Sequence, residues 1–161
     1  MSEIRSISKE EVANIPFFHG LSDYDIAITA EYLQLVEFKA LEYVFKEGEH
    51  YGSAFFLIKG AVQILKQMEK NAKPKVLAEI RVPQMFGELA LISKGTRSAS
   101  VLALEPLTVA EISCDNFEKL ILQHPELGVN IIRRIANIIS NRLKISNANY
   151  VHICSEMESS L

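Results

Sequence analysis

Tryptophan is absent from the 161 residues, and cysteine occurs only twice, at Cys114 and Cys154. The two lie far apart with no metal-ligating neighbour at short spacing, so neither a disulfide framework nor a zinc site is expected. His19, His50, His124 and His152 are scattered as well. No Ser-His-Asp arrangement or His/Cys/Asp cluster emerges, which leaves catalysis little to stand on and predicts a non-enzyme with no metal and no cofactor. Basic residues are in deficit: 17 Lys and Arg against 20 Asp and Glu give a net charge of −3. A phosphate-backbone reader needs a concentrated cationic surface, so DNA is not an expected partner. Long apolar runs are also missing. No stretch approaches the roughly eighteen residues that span a bilayer, and "MSEIRSISKEEV" lacks the apolar core of a signal peptide. The expectation is a cytoplasmic protein with no membrane partner.

What is present reads as one globular domain. Apolar residues make up 48% and charged residues 23% of the chain, a composition that can bury a core, with no internal repeat and no low-complexity linker. The first thirty-five residues read as short helices joined by a Pro/Gly elbow in "IPFFHGLS". Ser8 and Glu11 have capping-box spacing, and Ser22 opens a second run with Ile26, Ala30 and Leu33 at helical intervals. From residue 35 to about 112 the pattern changes to short apolar segments, "LVEF", "YVF", "AFFLI", "AVQIL", "VLAEI", "SVLAL" and "LTVAEI". Separated by turn residues and lacking helical stretches between them, these predict an antiparallel sandwich or barrel. "QMEKNAKPKVL" predicts a hairpin tip.

The helical period returns after Ile112. Asp115 and Glu118 are candidate caps for "NFEKLILQH", and Pro125 suits the first turn of a long helix over roughly 126 to 150. Its apolar surface is wide: Leu127, Ile131, Ile135 and Ile138 form one stripe, and Ile132, Ala136, Ile139 and Leu143 a neighbouring one. Either the helix is deeply buried or it serves two surfaces, its own barrel and a partner subunit. Arg133, Arg134, Arg142 and Lys144 on the same helix read as a solvated face. The domain is expected to occupy residues 1–150, followed by a short, polar, frayed tail at 151–161.

"FGELALISKGTRSAS", residues 86 to 100, carries the chemistry. Gly87 lets a backbone approach a ligand closely, and one helical turn after it would present free N–H groups to an anion. Glu88 would repel that anion unless its carboxylate pointed aside to a hydroxyl donor, so phosphate and hydroxyl must belong to one ligand. Arg97 can fork onto phosphate oxygens, Ser98 adds a hydroxyl, and Ala99 is small enough to admit the ligand. The bland alternative is a hairpin with a Glu88–Arg97 surface ion pair worth about 0–1 kcal/mol.

The order of these residues resembles the phosphate-binding cassette of the cyclic nucleotide-binding domain family, which runs Phe-Gly-Glu, aliphatic, small, Leu, a variable turn, then Arg and two small residues. "FKEGEHYGSAFFLIKGAVQIL" is similar to that family's earlier glycine signature. Thr96 stands where many relatives have Pro, and Gly52 where relatives often have Asp. The resemblance covers most of residues 12 to 145. It implies an eight-stranded antiparallel jelly-roll β-barrel with N-terminal helices and a long C-terminal helix.

It also implies a ligand, cyclic AMP or cyclic GMP, and a set of roles. Glu88 would accept the ribose 2′-hydroxyl and Arg97 would pair with the cyclic phosphate. Backbone N–H groups around Gly87, Leu89, Ser98 and Ala99 would complete the cup. Ile135, Ile138, Ile139 and Arg142 are the candidates for covering the base, Arg142 by stacking on the purine or hydrogen-bonding it. The function expected is a non-catalytic sensor that passes ligand occupancy to its last helix and on to an effector protein that the sequence leaves unidentified. A homodimer through that helix fits its second stripe. The alternative is an interaction or dimerisation module that keeps the fold and binds no nucleotide. A transcription factor fits less well, since only "NANYVHICSEMESSL" follows the helix.

Overall fold

Two side-chain caps set where the N-terminal helices begin. Ser8 Oγ accepts from the Glu11 N–H while Glu11 Oε2 accepts from the Ser8 N–H at 2.9 Å, closing the expected capping box. Ser22 Oγ likewise accepts from the Asp25 N–H at 3.1 Å. The structure, a computed structural model, describes residues 3–50 and 52–160. Its elements are β1 (Glu3–Ser6), α1 (Lys9–Ala13), a 3-10 turn (Pro16–Phe18), α2 (Asp23–Tyr32), β2 (Gln34–Phe38), β3 (Tyr43–Phe45), β4 (Ser53–Lys59) and β5 (Val62–Lys66). There follow β6 (Lys75–Ile80), β7 (Met85–Phe86), α3 (Leu89–Ile92), β8 (Ser100–Ala103), β9 (Leu107–Ser113), α4 (Cys114–Gln123) and α5 (Pro125–Ser159).

The strands form two antiparallel sheets, one in the order β1-β2-β9-β4-β7 and the other β3-β8-β5-β6. Two antiparallel sheets with N-terminal helices and a long C-terminal helix bear out the expected jelly roll, except that the barrel does not close and nine strands are described where eight were expected. The extra strand is β1, a fully exposed edge paired with β2, in the stretch that the sequence reads as short helices. With no buried face, β1 carries no hydrophobic alternation by which it could be recognised.

The period of two along the central strands divides the core. Leu35 of β2, Ala54 and Phe56 of β4, and Ala110 and Ile112 of β9 join one buried cluster with the helices. Their neighbours Val36, Phe55, Leu57, Leu107 and Val109 join a second cluster between the sheets. The central strands β2, β9 and β4 of the five-stranded sheet are thus buried on both faces, which is why "AFFLI" reads as an unbroken apolar run. The β5–β6 hairpin projects at the far edge, its tip turning through Asn71 at φ 73°.

Ser113 caps α4 by accepting from the Asn116 N–H at 3.1 Å, in place of the expected Asp115 and Glu118. In α5, Leu127, Gly128, Ile131 and Ile135 are buried, and Ile132, Ile138 and Ile139 pack against the same cluster from half-buried positions. A Cβ at position 128 would come within 3.0 Å of Ile121 Cα, so glycine there lets α5 lie closely on α4. The helix is buried only along this first half. It then continues through the residues expected to fray, ending at Ser159. From Ser140 onward it is exposed everywhere except at the half-buried Cys154. Nothing between Ile145 and Ser155 breaks it, since "ISNANYVHICS" contains neither Gly nor Pro.

Candidate functional site

The chain leaves β7 at Phe86 and turns sharply at Gly87, whose φ is 71°. A side chain here would be strained, and its Cβ would lie 3.0 Å from Arg97 Nη1 and 3.4 Å from Phe45 Cε1. Glycine is therefore what lets the Arg97 guanidinium close onto the backbone. Glu88 then sits at the N-cap of the single turn α3. Arg97 is fixed from the other side, where its N–H donates to Glu49 O at 2.7 Å and its carbonyl accepts from Gly48 N at 2.9 Å. Thr96, in the place of the resemblance's proline, makes a β-bridge with His50.

Glu88 and Arg97 are both buried, with 6% and 5% of their surface exposed. They do not pair with each other, which removes the hairpin ion-pair alternative. Arg97 Nη2 donates to Ser53 O at 2.6 Å and Nη1 to Gly87 O at 3.4 Å, while the guanidinium lies 3.9 Å above the centre of the Phe45 ring. Those carbonyls and the π face offset part of the cost of burying the cation. Glu88 Oε1 instead accepts from Arg142 Nη1 of α5 at 2.5 Å, and Arg142 Nη2 donates to Met85 O. Glu88 Oε2 is buried with no hydrogen-bond donor among the described residues.

Gly87, Glu88, Leu89, Arg97, Ser98 and Ala99 line one cavity of about 140 Å³, together with Arg142. Sequence reasoning had missed its apolar walls, made by Phe45, Ile64, Ile80, Phe86 and Val101. Phe55 stacks on both Phe45 and Phe86, centred 5.3 Å from the latter. The signal that would have found these residues is strand alternation: Ile64 and Val101 are directly paired across β5 and β8, so they share a face. The chemistry on offer is one buried carboxylate, two guanidinium groups and an apolar wall, which suits an amphiphilic anion carrying a hydroxyl.

Three of the four proposed base-covering residues lie elsewhere. Ile135 is wholly buried in the helix-side core, and Ile138 and Ile139 pack against that core, so none of them lines the cavity. The rotation of α5 points their stripe into the helix-side core and leaves Arg142 as the helix residue that reaches the cavity. Nor are the cations of α5 simply a solvated face. Arg134 Nη1 donates to Phe17 O at 2.5 Å and His19 O at 2.9 Å, tying the helix to the N-terminal turn.

On the far side of α3, the Cys114 thiol donates to Ala90 O at 3.2 Å, and burial raises its pKa. Among the described residues, no three His, Cys, Asp or Glu side chains are grouped to hold a metal ion, and no helix is long and apolar enough to cross a membrane.

The family model for the cyclic nucleotide-binding domain matches residues 35–124. Glutaminase 1 of Bradyrhizobium diazoefficiens is 30% identical over 138 residues, covering 86% of this chain and 22% of that protein. A CRP-like cAMP-activated global transcriptional regulator of Mycobacterium tuberculosis is 26% identical over 140 residues, 87% of this chain and 60% of the regulator. The chain thus spans less than two thirds of either curated relative. The crystal structure of a cyclic nucleotide-binding domain from Methylobacillus flagellatus superposes with a TM-score of 0.76 at 23% identity, over 88% of this chain and 79% of that one.

Proposed function

The chain belongs to the cyclic nucleotide-binding domain family, and on that premise we propose that it is a non-catalytic sensor of cyclic AMP or cyclic GMP whose occupancy is passed to α5. The observation that carries this reading is a buried carboxylate and a buried guanidinium on one cavity, the first bonded to Arg142 and the second to the Ser53 carbonyl. Arg97 supplies charge for the cyclic phosphate, assisted by the N–H groups around Gly87, Leu89, Ser98 and Ala99. Glu88 accepts a ribose hydroxyl, and the apolar walls receive the purine. Two guanidinium groups and one carboxylate leave the cavity one positive charge, which suits the single charge of a cyclic phosphodiester better than the double charge of a linear monophosphate.

Calorimetric titration with cyclic AMP, cyclic GMP and 5′-AMP in parallel tests the reading. At least one cyclic nucleotide should bind more tightly than 5′-AMP, and heat from neither cyclic ligand at low salt would end the proposal. Arg97→Ala should weaken binding by about ten- to a hundredfold, the equivalent of about 1.5–3 kcal/mol for hydrogen bonds to a charged group.

A partner for the helix is supported by a separate observation. Val129, Ile132, Ala136, Ile139, Leu143, Ser146, Tyr150, Ile153 and Met157 follow alternating three- and four-residue steps along α5. Only Ser146 interrupts an otherwise apolar seam, and Leu143, Tyr150, Ile153 and Met157 are all more than half exposed. Residues 145–155 carry no Asp, Glu, Lys or Arg. An uncharged seam of this period is what a second copy of the same helix would cover, so the proposed assembly is a homodimer through α5. The same seam supports a second reading, in which the fold serves dimerisation or docking without nucleotide. Melting temperatures that do not move on adding cyclic nucleotide would favour it. The glutaminase match covers 22% of that enzyme and lends this chain no catalytic role. The effector downstream of the sensor and a cytoplasmic setting remain part of this proposal.

A further inference from the structure

The segment that carries Arg97 is fixed at both ends and pinned between them. Arg97 is held by its own backbone, through Glu49 O and the Gly48 N–H. Ser100 opens β8, where it pairs with Leu65 of β5, and its hydroxyl accepts from the Glu47 N–H at 2.9 Å. Between these two points the Ser98 carbonyl is held by a side chain from another strand, since Lys66 Nζ at the end of β5 donates to Ser98 O at 2.7 Å. The same ammonium donates to Glu47 Oε1, and Glu47 Oε2 accepts from the Gln67 N–H at 3.0 Å. Bonding to Lys66 first, then to the Gln67 backbone, lowers the Glu47 pKa, so that carboxylate is charged at neutral pH.

We infer that Lys66 is a positioning residue for the ligand's phosphate, which it does not itself touch: by holding the Ser98 carbonyl outward, it presents the Ala99 N–H to the cavity. This rests on the reading of the cavity as a cyclic-nucleotide site. In a trans peptide the carbonyl and the following N–H point to opposite sides of the chain, and no peptide bond among the described residues is cis. Fixing Ser98 O on Lys66 therefore turns the Ala99 N–H away from Lys66. Ala99 lines the cavity and Lys66 does not, so that direction is the side on which the ligand sits. Without Lys66 the peptide plane is free to rotate, and binding must then order it at a cost in affinity. The ammonium is spent on Glu47 and Ser98 O, and Glu47 neutralises its charge. With 35% and 28% of their side-chain surface exposed, the two partners contribute little to the stability of the whole fold. Their effect is local to the peptide they hold.

The test titrates the full chain by calorimetry with cyclic AMP and its two phosphorothioate diastereomers, in which sulfur replaces one or the other exocyclic phosphate oxygen. If cyclic GMP is the ligand that binds, its own analogues are used. Lys66→Met removes the ammonium and keeps the apolar stem. It should weaken cyclic AMP binding about three- to tenfold, short of the loss of a whole hydrogen bond to a charged group, and change the affinity ratio of the two diastereomers by about threefold. The preference for cyclic AMP over its 2′-deoxy analogue, which reads Glu88 instead, should stay within about twofold. By NMR, the Ala99 amide proton should move downfield on ligand addition in the wild type and move less in the variant. Lys66→Arg, which can still donate to both Glu47 and Ser98 O, should keep most of the affinity. The double variant Lys66→Met with Glu47→Gln removes the stranded negative charge and should bind no better than Lys66→Met alone. The melting temperature of ligand-free Lys66→Met should lie within about 4 °C of the wild type.

Unchanged affinity in Lys66→Met, or an equal loss for both diastereomers, would mean that Lys66 does not orient a phosphate donor. Recovery of affinity in the double variant would assign the loss to the charge of Glu47. Each of these results overturns the positioning role while leaving the nucleotide site standing. A wild type that binds no cyclic nucleotide overturns both.

Discussion

Glu11 makes an exposed ion pair with Arg5. Its Oε1 accepts from Arg5 Nη2 at 2.6 Å and its Oε2 from the Ser8 N–H at 2.9 Å. Bonding to Arg5 first, then to the Ser8 backbone, holds its pKa well below the usual carboxylate range, at about 2. A carboxylate whose pKa is lowered by folding stabilises the fold above its unfolded value, and that contribution is lost as pH falls through the folded value. The stability difference between wild type and Glu11→Gln should therefore be present above about pH 5 and vanish as pH approaches 2. Because the pair is exposed, the difference should not exceed about 1 kcal/mol. Chemical melts at stepped pH would measure it, and a gap that persisted at low pH would assign the effect to packing. The Ser8–Glu11 cap was legible in the sequence because both partners lie in one turn. The Arg5 contact was not, because it depends on β1, a strand without a hydrophobic signature.

At the scale of the element, α5 divides into a packed half and an exposed half, and the two behave differently. Sequence periodicity indicated two apolar stripes but could not rank them. In the structure the stripe through Ile131 and Ile135 is taken by the helix-side core, which leaves the seam through Leu143, Tyr150, Ile153 and Met157 outward. If that seam joins two copies, light scattering should give twice the 18.1 kDa chain mass. Leu143→Asp combined with Ile153→Asp should return the mass to one chain without lowering the melting temperature of the sheets. A wild-type mass of one chain would retire the dimer. The tail expected to fray continues the helix because no breaker intervenes and each added residue gains a backbone hydrogen bond once the helix is nucleated.

At the scale of the whole molecule, the five-stranded sheet separates two cores, and α5 reports on one while its Arg142 touches the cavity beside the other. Ile135 of that helix is fully buried. Ile135→Ala should cost about 2–5 kcal/mol, read as a lowered denaturant midpoint, and a loss below about 1 kcal/mol would show that α5 is not integral to the core. Much of the site was legible in the chain itself. Gly87, Glu88, Arg97, Ser98 and Ala99 were assigned to one cassette by the family resemblance of their order, and they line one cavity because a turn, a helical turn and a bridge place residues that are near in sequence near in space. Helix starts and the strand region were likewise local, being written in caps, turn residues and a period of two. Only the tertiary structure decided what Glu88 holds. Its partner lies 54 positions away on α5, and which residue of that helix arrives is set by its rotation against a core built from the whole chain. Ile135, Ile138 and Ile139 had equal standing with Arg142 as sequence, and packing sent the three isoleucines to the helix-side core and the arginine to the carboxylate.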